Sequence, residues 1–318
     1  MRFLLRRLVQ LVVVLLVVSF LSFLLLELLP GDPVVAIVPF SSEEQREILR
    51  HDLGLDQPLP ARYWDWLSGF VTGDLGNYYT VSSVRPVSDD ISGALPVSLQ
   101  LMGYSMILTL VLAVPVAVFA AYRAGSLFDR IANTTAFGAV AIPDFAIGLV
   151  LAYYLGVQVG WFPTSGYRAP SDGFIEHLKS MAMPAISLAV GQVAAYMRLL
   201  RSDMIATLRE DFIAVAKAKG MPPGHILWRH ALRPSSLTLL TVVGLNIGTL
   251  IGGAVVIEAI FQLPGMGLLI FQSISTRQYV ALQSFVALLA IGYVAVNAAV
   301  DLLYAALDPR ISHGRASR

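Results

Sequence analysis

Six stretches of this chain run almost uncharged for a length close to what a helix needs to cross a bilayer, about 20 residues. Leu8–Leu29 has no charge before Glu27, and Val97–Tyr122 lies in an uncharged run bounded by Asp90 and Arg123. Ile131–Gln158 is interrupted only by Asp144, and the shorter Ala182–Leu200 carries Arg198 near its end. Pro234–Ile257 closes at Glu258, and Tyr279–Leu303 is uncharged until Asp301. Composition agrees: 56% of the 318 residues are hydrophobic and 14% charged, whereas soluble domains carry about 25% charged residues. Two soluble domains with so few charges would leave large apolar patches in water. The chain reads as an all-α polytopic membrane protein of six transmembrane helices.

Arg2, Arg6 and Arg7 precede the first run, as in a signal peptide. The run is longer than a signal peptide's 7–15-residue apolar core, and no A-x-A-like cleavage site follows, so it reads as a retained anchor. With the N-terminus in the cytoplasm, inner segments hold fifteen Lys and Arg against seven outside. Four of those seven lie in the long 30–96 segment, where charge weighs little. Both termini are then cytoplasmic, in a plasma or inner membrane. The organisation expected is an anchor span with an outer helical segment over 1–96, then a five-span core over 97–318 with a cytoplasmic loop at 201–234.

In the outer segment, Ser41–Gln45 offers two overlapping capping boxes, Ser41 with Glu44 and Ser42 with Gln45, opening a short helix. Tyr63, Trp64, Trp66, Leu67 and Phe70 suit the membrane–water boundary, as do Trp161 and Phe162 after the third span. The absence of cysteine excludes disulfides, iron–sulfur clusters and thiol nucleophiles. A net charge of +1 gives no reason to expect nucleic acid as a partner.

The 201–234 loop differs from its surroundings. Asp211-Phe212-Ile213-Ala214-Val215-Ala216-Lys217-Ala218-Lys219 is a run of helix formers and small residues, and Gly220 follows where a helix C′ cap belongs. Pro222 and Pro223 enforce the stop, and a second short helix over Ile226–Leu232 leads back to the bilayer. Phe212, Val215 and Lys219 share one helical face. A helix, a glycine turn and a second helix at the membrane surface read either as a docking element for a protein or as a structural loop.

At this point the sequence resembles a known family. Ala214-x-Ala216-x-Ala218-Lys219-Gly220 followed by His230-Ala231-Leu232-Arg233 is similar to the EAA loop of ATP-binding-cassette importer permeases. Leu29-Pro30-Gly31-Asp32-Pro33, Gly73-Asp74-Leu75-Gly76, Ala141-Ile142-Pro143, Glu258-x-Ile260-Phe261-x-x-Pro264-Gly265-x-Gly267 and Asp301–Arg310 are similar to the B-type permease of dipeptide and oligopeptide importers. The matches follow the family's order over essentially the whole chain. Pro234 departs from the usual Asn, and Asp144 from a small polar residue.

The resemblance implies a type I importer permease bundle, paired with a homologous permease subunit into a twelve-helix pore. It implies that Asp211, Phe212, Ala214, Val215, Ala216, Lys217, Ala218, Lys219, Gly220 and His230 belong to a coupling element seated in a cytoplasmic ATPase, and that an extracytoplasmic substrate-binding protein delivers the ligand. Peptides are the expected cargo, with nickel as the alternative within the same family. ATP and Mg would be bound by the ATPase: a phosphate-binding loop needs Lys directly after Gly, and Lys179, Lys217 and Lys219 follow Leu178, Ala216 and Ala218. The chain is therefore expected to be no enzyme and to hold no cofactor.

Gly244, Gly248 and Gly252 form a small-residue stripe, suited to packing within the subunit or against a partner permease. Asp144, near the middle of the third span, must face the bundle or a wet cavity. Asp144 would either link to Gln192 or Asn246 or line the translocation path, with Glu258 reachable from the outer vestibule. The turn at Pro264-Gly265 would direct a loop towards the pore mouth or the binding protein. His225 and His230, five apart, do not share an α-helical face, and His51 and His177 lack partners at a metal-ligand spacing, so no metal site is expected. An intramembrane hydrolase lacks its serine elbow, and a secondary transporter would need internal repeats, which are absent.

Overall fold

The computed structural model describes residues 2–28, 31–80 and 83–307. Leu29 and Pro30 of the first motif and Asp308, Pro309 and Arg310 of the last lie outside the described residues. The described residues form two compact units, those within 1–98 and 263–298 and those within 99–262 and 299–307.

The first unit opens with α1 (Arg2–Glu27), followed by α2 (Pro33–Ile37), α3 (Glu43–Asp52) and α4 (Leu59–Thr72). Asp32 caps α2 by accepting from Val34 N–H at 2.9 Å, and its other carboxylate oxygen takes Arg50 Nη2. Of the two overlapping capping boxes, Ser42 with Gln45 forms and starts α3. Ser41 instead donates to Val38 O at 2.8 Å. Val34, Ile37 and Leu49 make a small core with Leu53, Leu55 and Tyr79 against it.

The aromatic residues of α4 split between packed and exposed positions. Tyr63 meets Phe20 and Phe23 of α1 with ring centroids at 5.3 and 5.6 Å, and Trp66 stacks on Phe70 at 5.2 Å. Tyr63, Trp66 and Phe70 recur at helical spacing, so they form one stripe along α4, with Trp66 Nε1 donating to Ser284 Oγ at 3.0 Å. Trp64, off that stripe, is exposed. After α4 the Gly73–Gly76 motif makes a tight exit. Asp74 Oδ1 accepts from Gly76 N–H at 2.9 Å. Gly76 has φ 79°, and a Cβ there would collide with Val280. A short hairpin, β1 (Asn77–Tyr79) and β2 (Val84–Pro86), then pairs antiparallel with Tyr78 opposite Arg85. The helix α12 (Met266–Ser275) and residues 279–298 of α13 (Tyr279–Leu307) complete this unit.

The second unit is a bundle. It takes most of α5 (Val87–Tyr122), then α6 (Leu127–Ala141), α7 (Asp144–Leu151), α8 (Phe174–Thr207), α9 (Asp211–Ala218), α10 (Pro223–His225) and α11 (Leu232–Phe261). A π-helical segment, Ala152–Gln158, continues α7, and another, Ile226–Ala231, joins α10 to α11. α8 is central and packs against α6, α7 and α11. It is longer than the expected 182–200, and buried His177 ties its first turns down although Phe174 and Ile175 are exposed. His177 is fully buried, with Tyr104 Oη at 2.9 Å and Arg168 O at 2.7 Å. Arg198 lies 3.8 Å from the Phe137 ring centroid, which gives its charge an aromatic partner.

Among the described residues, four helices are long and apolar enough to cross a membrane: Val87–Tyr122, Phe174–Thr207, Pro223–Phe261 and Tyr279–Val300. The expected third span is a bent pair, Leu127–Ala141 and Asp144–Gln158 meeting at 99°, which makes up to five. The bend has a local cause. Ile142 precedes a proline and adopts an extended conformation, φ −93° and ψ 124°, and Pro143 has no N–H to continue the helix. Asp144 is thus the first residue of a new helix and not the middle of a continuous one. Within α1 the described apolar stretch, Val12–Leu25, is shorter than a span.

Candidate functional site

The 201–234 loop is built into the bundle. Ile213 and Ala216 of α9 are buried with Ile226, Leu227 and Ala231, against Met204 of α8 and Ala121 of α5. The opposite face is open: Phe212 is 47% and Val215 54% exposed, and Ala214, Lys217, Ala218 and Lys219 are exposed around them. Phe212, Val215 and Lys219 share an outward face as their spacing requires. Ala216 does not join them, because the i, i+3 pair with Ile213 anchors the helix. Asp211 is the first residue of α9, where its charge favours the helix dipole.

The helix ends in a Schellman motif. Gly220 N–H reaches Lys217 O at 2.9 Å, and Met221 N–H reaches Ala216 O at 3.3 Å. Gly220 has φ 75°, the left-handed conformation expected of it. Met221 packs on the core cluster that contains Ala216, the apolar contact that accompanies this motif.

The second half of the loop corrects one expectation. His225 and His230 do meet: their rings lie T-shaped with centroids 5.2 Å apart. The turn between them is π-helical, and an i→i+5 period puts residues five apart on one face. His230 is half-buried, and its Nε2 has no hydrogen-bond partner among the described residues. It is not on the exposed face of α9. No group of three His, Cys, Asp or Glu that could hold a metal is present among the described residues.

A clamp behind the loop was missed by sequence reasoning. Asp129, 3% exposed, receives Arg201 Nε and Nη2, the latter at 2.6 Å. Gly125 N–H at 2.8 Å and Asn133 Nδ2 at 2.8 Å also donate to it. This bidentate pair ties the start of α6 to α8 just before α9. In the sequence Arg201 counts only as one of the inner charges and Asp129 does not stand out, because 72 positions separate them.

Deeper in the bundle, Asp144 sits where the broken helix restarts, half-buried. A Cβ on Gly191 of α8 would lie 3.4 Å from Asp144 Oδ1, and one on Gly253 of α11 3.4 Å from Oδ2. Two glycines therefore let the carboxylate lie against the backbones of both helices. The expected link from Asp144 to Gln192 or Asn246 is not formed. Gln192 Oε1 is buried without a hydrogen-bond partner among the described residues, and Asn246 is half-buried on α11.

Residues 113–313 match the family of binding-protein-dependent transport system inner membrane components, and residues 1–90 match the N-terminal region of such components. The chain belongs to this family. It is 35% identical over 312 residues to a probable peptide ABC transporter permease of Sinorhizobium fredii, covering 98% of this chain and 99% of that one. It is 36% identical over 314 residues to the oligopeptide transport system permease of Bacillus subtilis, covering 98% and 99%. It is 33% identical over 314 residues to a glutathione transport system permease of Escherichia coli, with the same coverage.

Other expected positions of the permease are resolved by packing. A Cβ on Gly244 would collide with Val300, so this glycine serves packing within the subunit. Gly252 is exposed with open space at its Cβ, and Gly248 is half-buried. The stripe thus splits. Glu258, expected at an outer vestibule, is fully buried instead. Ile257 and Phe261 beside it are buried too, so this turn of α11 faces the bundle. Gln262 after it is exposed, with φ 51°.

Proposed function

We propose that this chain is a channel-forming permease subunit of an ATP-driven peptide importer. In this reading it contributes six spans, α1 supplying the first and the bent α6–α7 pair the third, with both termini in the cytoplasm and a core over 97–318. A homologous permease completes the pore, an extracytoplasmic binding protein delivers the peptide, and cytoplasmic ATPase subunits bind ATP and Mg and supply the energy. Peptide cargo is supported by the peptide, oligopeptide and glutathione names of relatives that align along nearly the whole chain.

The observation that carries the coupling role is the two-faced α9. Its inner face is locked into the core by Ile213 and Ala216, while Phe212 and Val215 present apolar surface outward. A helix so anchored transmits a push from a partner to α5, α8 and the root of α11, because packed cores shift as discrete units. Asp144 is the pathway residue in this reading. A single carboxylate between glycines offers a passing α-ammonium group a transient partner, and weak binding suits conduction. The test is ATP-dependent uptake of a labelled dipeptide by proteoliposomes holding this chain with its copurified partners. Mass spectrometry finding no ATPase and no second permease in the purified complex would overturn the assignment.

A further inference from the structure

Within the second unit, α8 and α11 meet along a seam. Three contacts fix which face of α8 turns towards it. A Cβ on Gly253 of α11 would lie 2.9 Å from the Leu188 side chain. The Tyr196 phenol faces the Asn246 side chain, and Ser235 Oγ lies 2.8 Å from Thr207 Oγ1. Leu188, Gln192, Tyr196, Asp203 and Thr207 recur at helical spacing. Gln192 and Asp203, bracketed by those contacts, therefore belong to the same stripe. Ala194, two residues from both Gln192 and Tyr196, lies on the opposite face of α8 and packs in the apolar core.

Gln192 Oε1, Tyr196 Oη and Asp203 Oδ2 are all buried without a hydrogen-bond partner among the described residues. Buried polar groups are almost always satisfied, and an unpaired one is costly. A seam that only held two helices together would be better served by apolar side chains at these positions. All three atoms accept hydrogen bonds. The Asp144 carboxylate, 3.4 Å from a Cβ on either Gly191 or Gly253, adds further acceptors between the same two helices. A row of acceptors fits a ligand rich in N–H donors, which is what a peptide backbone and its α-ammonium group present. Gln192 and Tyr196 stand about 6 Å apart along α8, close to the roughly 6.6 Å between N–H groups on one side of an extended peptide. Asp203 follows about 10 Å further on.

We propose that the α8–α11 seam parts during transport and that Gln192, Tyr196 and Asp203 then accept hydrogen bonds from the peptide in transit. The inference rests on the importer reading above and adds the surface along which the cargo moves. Closed, the seam leaves these acceptors unpaired, so an entering peptide stabilises the parted state over the closed one. The chain contains no cysteine, so single cysteines introduced into it report wetting of the seam. Gln192→Cys, Asp203→Cys and the control Ala194→Cys, each in proteoliposomes with the copurified partners, are exposed to 2-aminoethyl methanethiosulfonate, and labelling of this chain is read by mass spectrometry. The two seam cysteines should react at least tenfold faster with ATP and dipeptide present than without ATP, and Ala194→Cys at one rate throughout. In the detergent-purified full chain, Gln192→Leu should raise the melting temperature by about 2–4 °C, because it removes an unpaired acceptor. In the complex it should lower dipeptide uptake at least fivefold, whereas a residue that serves only packing would melt earlier when replaced. Seam cysteines indifferent to ATP while the wild-type complex transports, equal acceleration of Ala194→Cys, or a Gln192→Leu chain that melts earlier or transports normally would each overturn the seam alone. A wild-type complex that takes up no dipeptide would refute the importer reading and the seam with it.

Discussion

Replacing Gly220 isolates the geometry of the α9 exit from every side-chain contact. Its φ is 75°, and a Cβ built on it meets nothing within 4 Å. Substitution therefore introduces no clash with a neighbour, and its whole cost is conformational. For an ordinary L-residue the left-handed region costs roughly 1–2 kcal/mol, with Asn penalised less and a β-branched residue most. That range shifts the local equilibrium about 5- to 30-fold away from the capped state, which forms the Gly220–Lys217 and Met221–Ala216 bonds. Without the cap, Phe212 and Val215 are no longer held in register with the core. Uptake in proteoliposomes should thus fall in the order Gly220→Asn, Gly220→Ala, Gly220→Val, with Val losing most activity. Membrane insertion, followed by protease protection of the tagged chain, should stay intact, because no apolar span is touched. Wild-type uptake by Gly220→Val, or a loss that ignores the order, would refute the role assigned to the cap.

Asp144→Asn should lower peptide uptake while sparing complex assembly and basal ATPase activity; failed assembly or unchanged uptake would remove Asp144 from the pathway. Arg201→Met should destabilise the protein by about 3–5 kcal/mol, since it strands the buried Asp129 carboxylate. A melting curve checks this, and the paired Asp129→Asn change should recover part of the loss. Phe212→Ala with Val215→Ala should abolish copurification of the ATPase with little change in melting temperature, because both side chains face outward. Gly244→Leu should impair folding of the isolated subunit, as Val300 occupies the space that its side chain needs.

Much of the molecule was legible along the chain because the governing interactions are local. Uncharged runs of bilayer length dictate helices in lipid, where every backbone polar group must be satisfied within its own segment. The glycine after Lys219 announced a left-handed cap, and Ser42 with Gln45 announced the start of α3. These signals involve residues within a few positions of each other, so a spacing rule captures them.

Only the tertiary structure decided what lies across the turns. Whether Pro143 kinks a span or splits it depends on whether α7 finds packing partners in a new direction, and α8 and α11 supply them. Spacing alone does not name a partner for Tyr63, and the structure shows it to be Phe20 and Phe23 of α1. His225 and His230 met because a single turn adopts the π period, a change of pitch that no α-helical rule anticipates. The Asp129–Arg201 clamp joins residues 72 positions apart. Charges so separated find each other through the path of the intervening helices, which pattern along one segment does not encode. The sequence alone thus determined that the chain is built of apolar helices suited to a membrane, and locally capped ends such as those of α3 and α9. Tertiary packing determined which polar groups meet inside it, because meeting requires several helices to arrive at one place together.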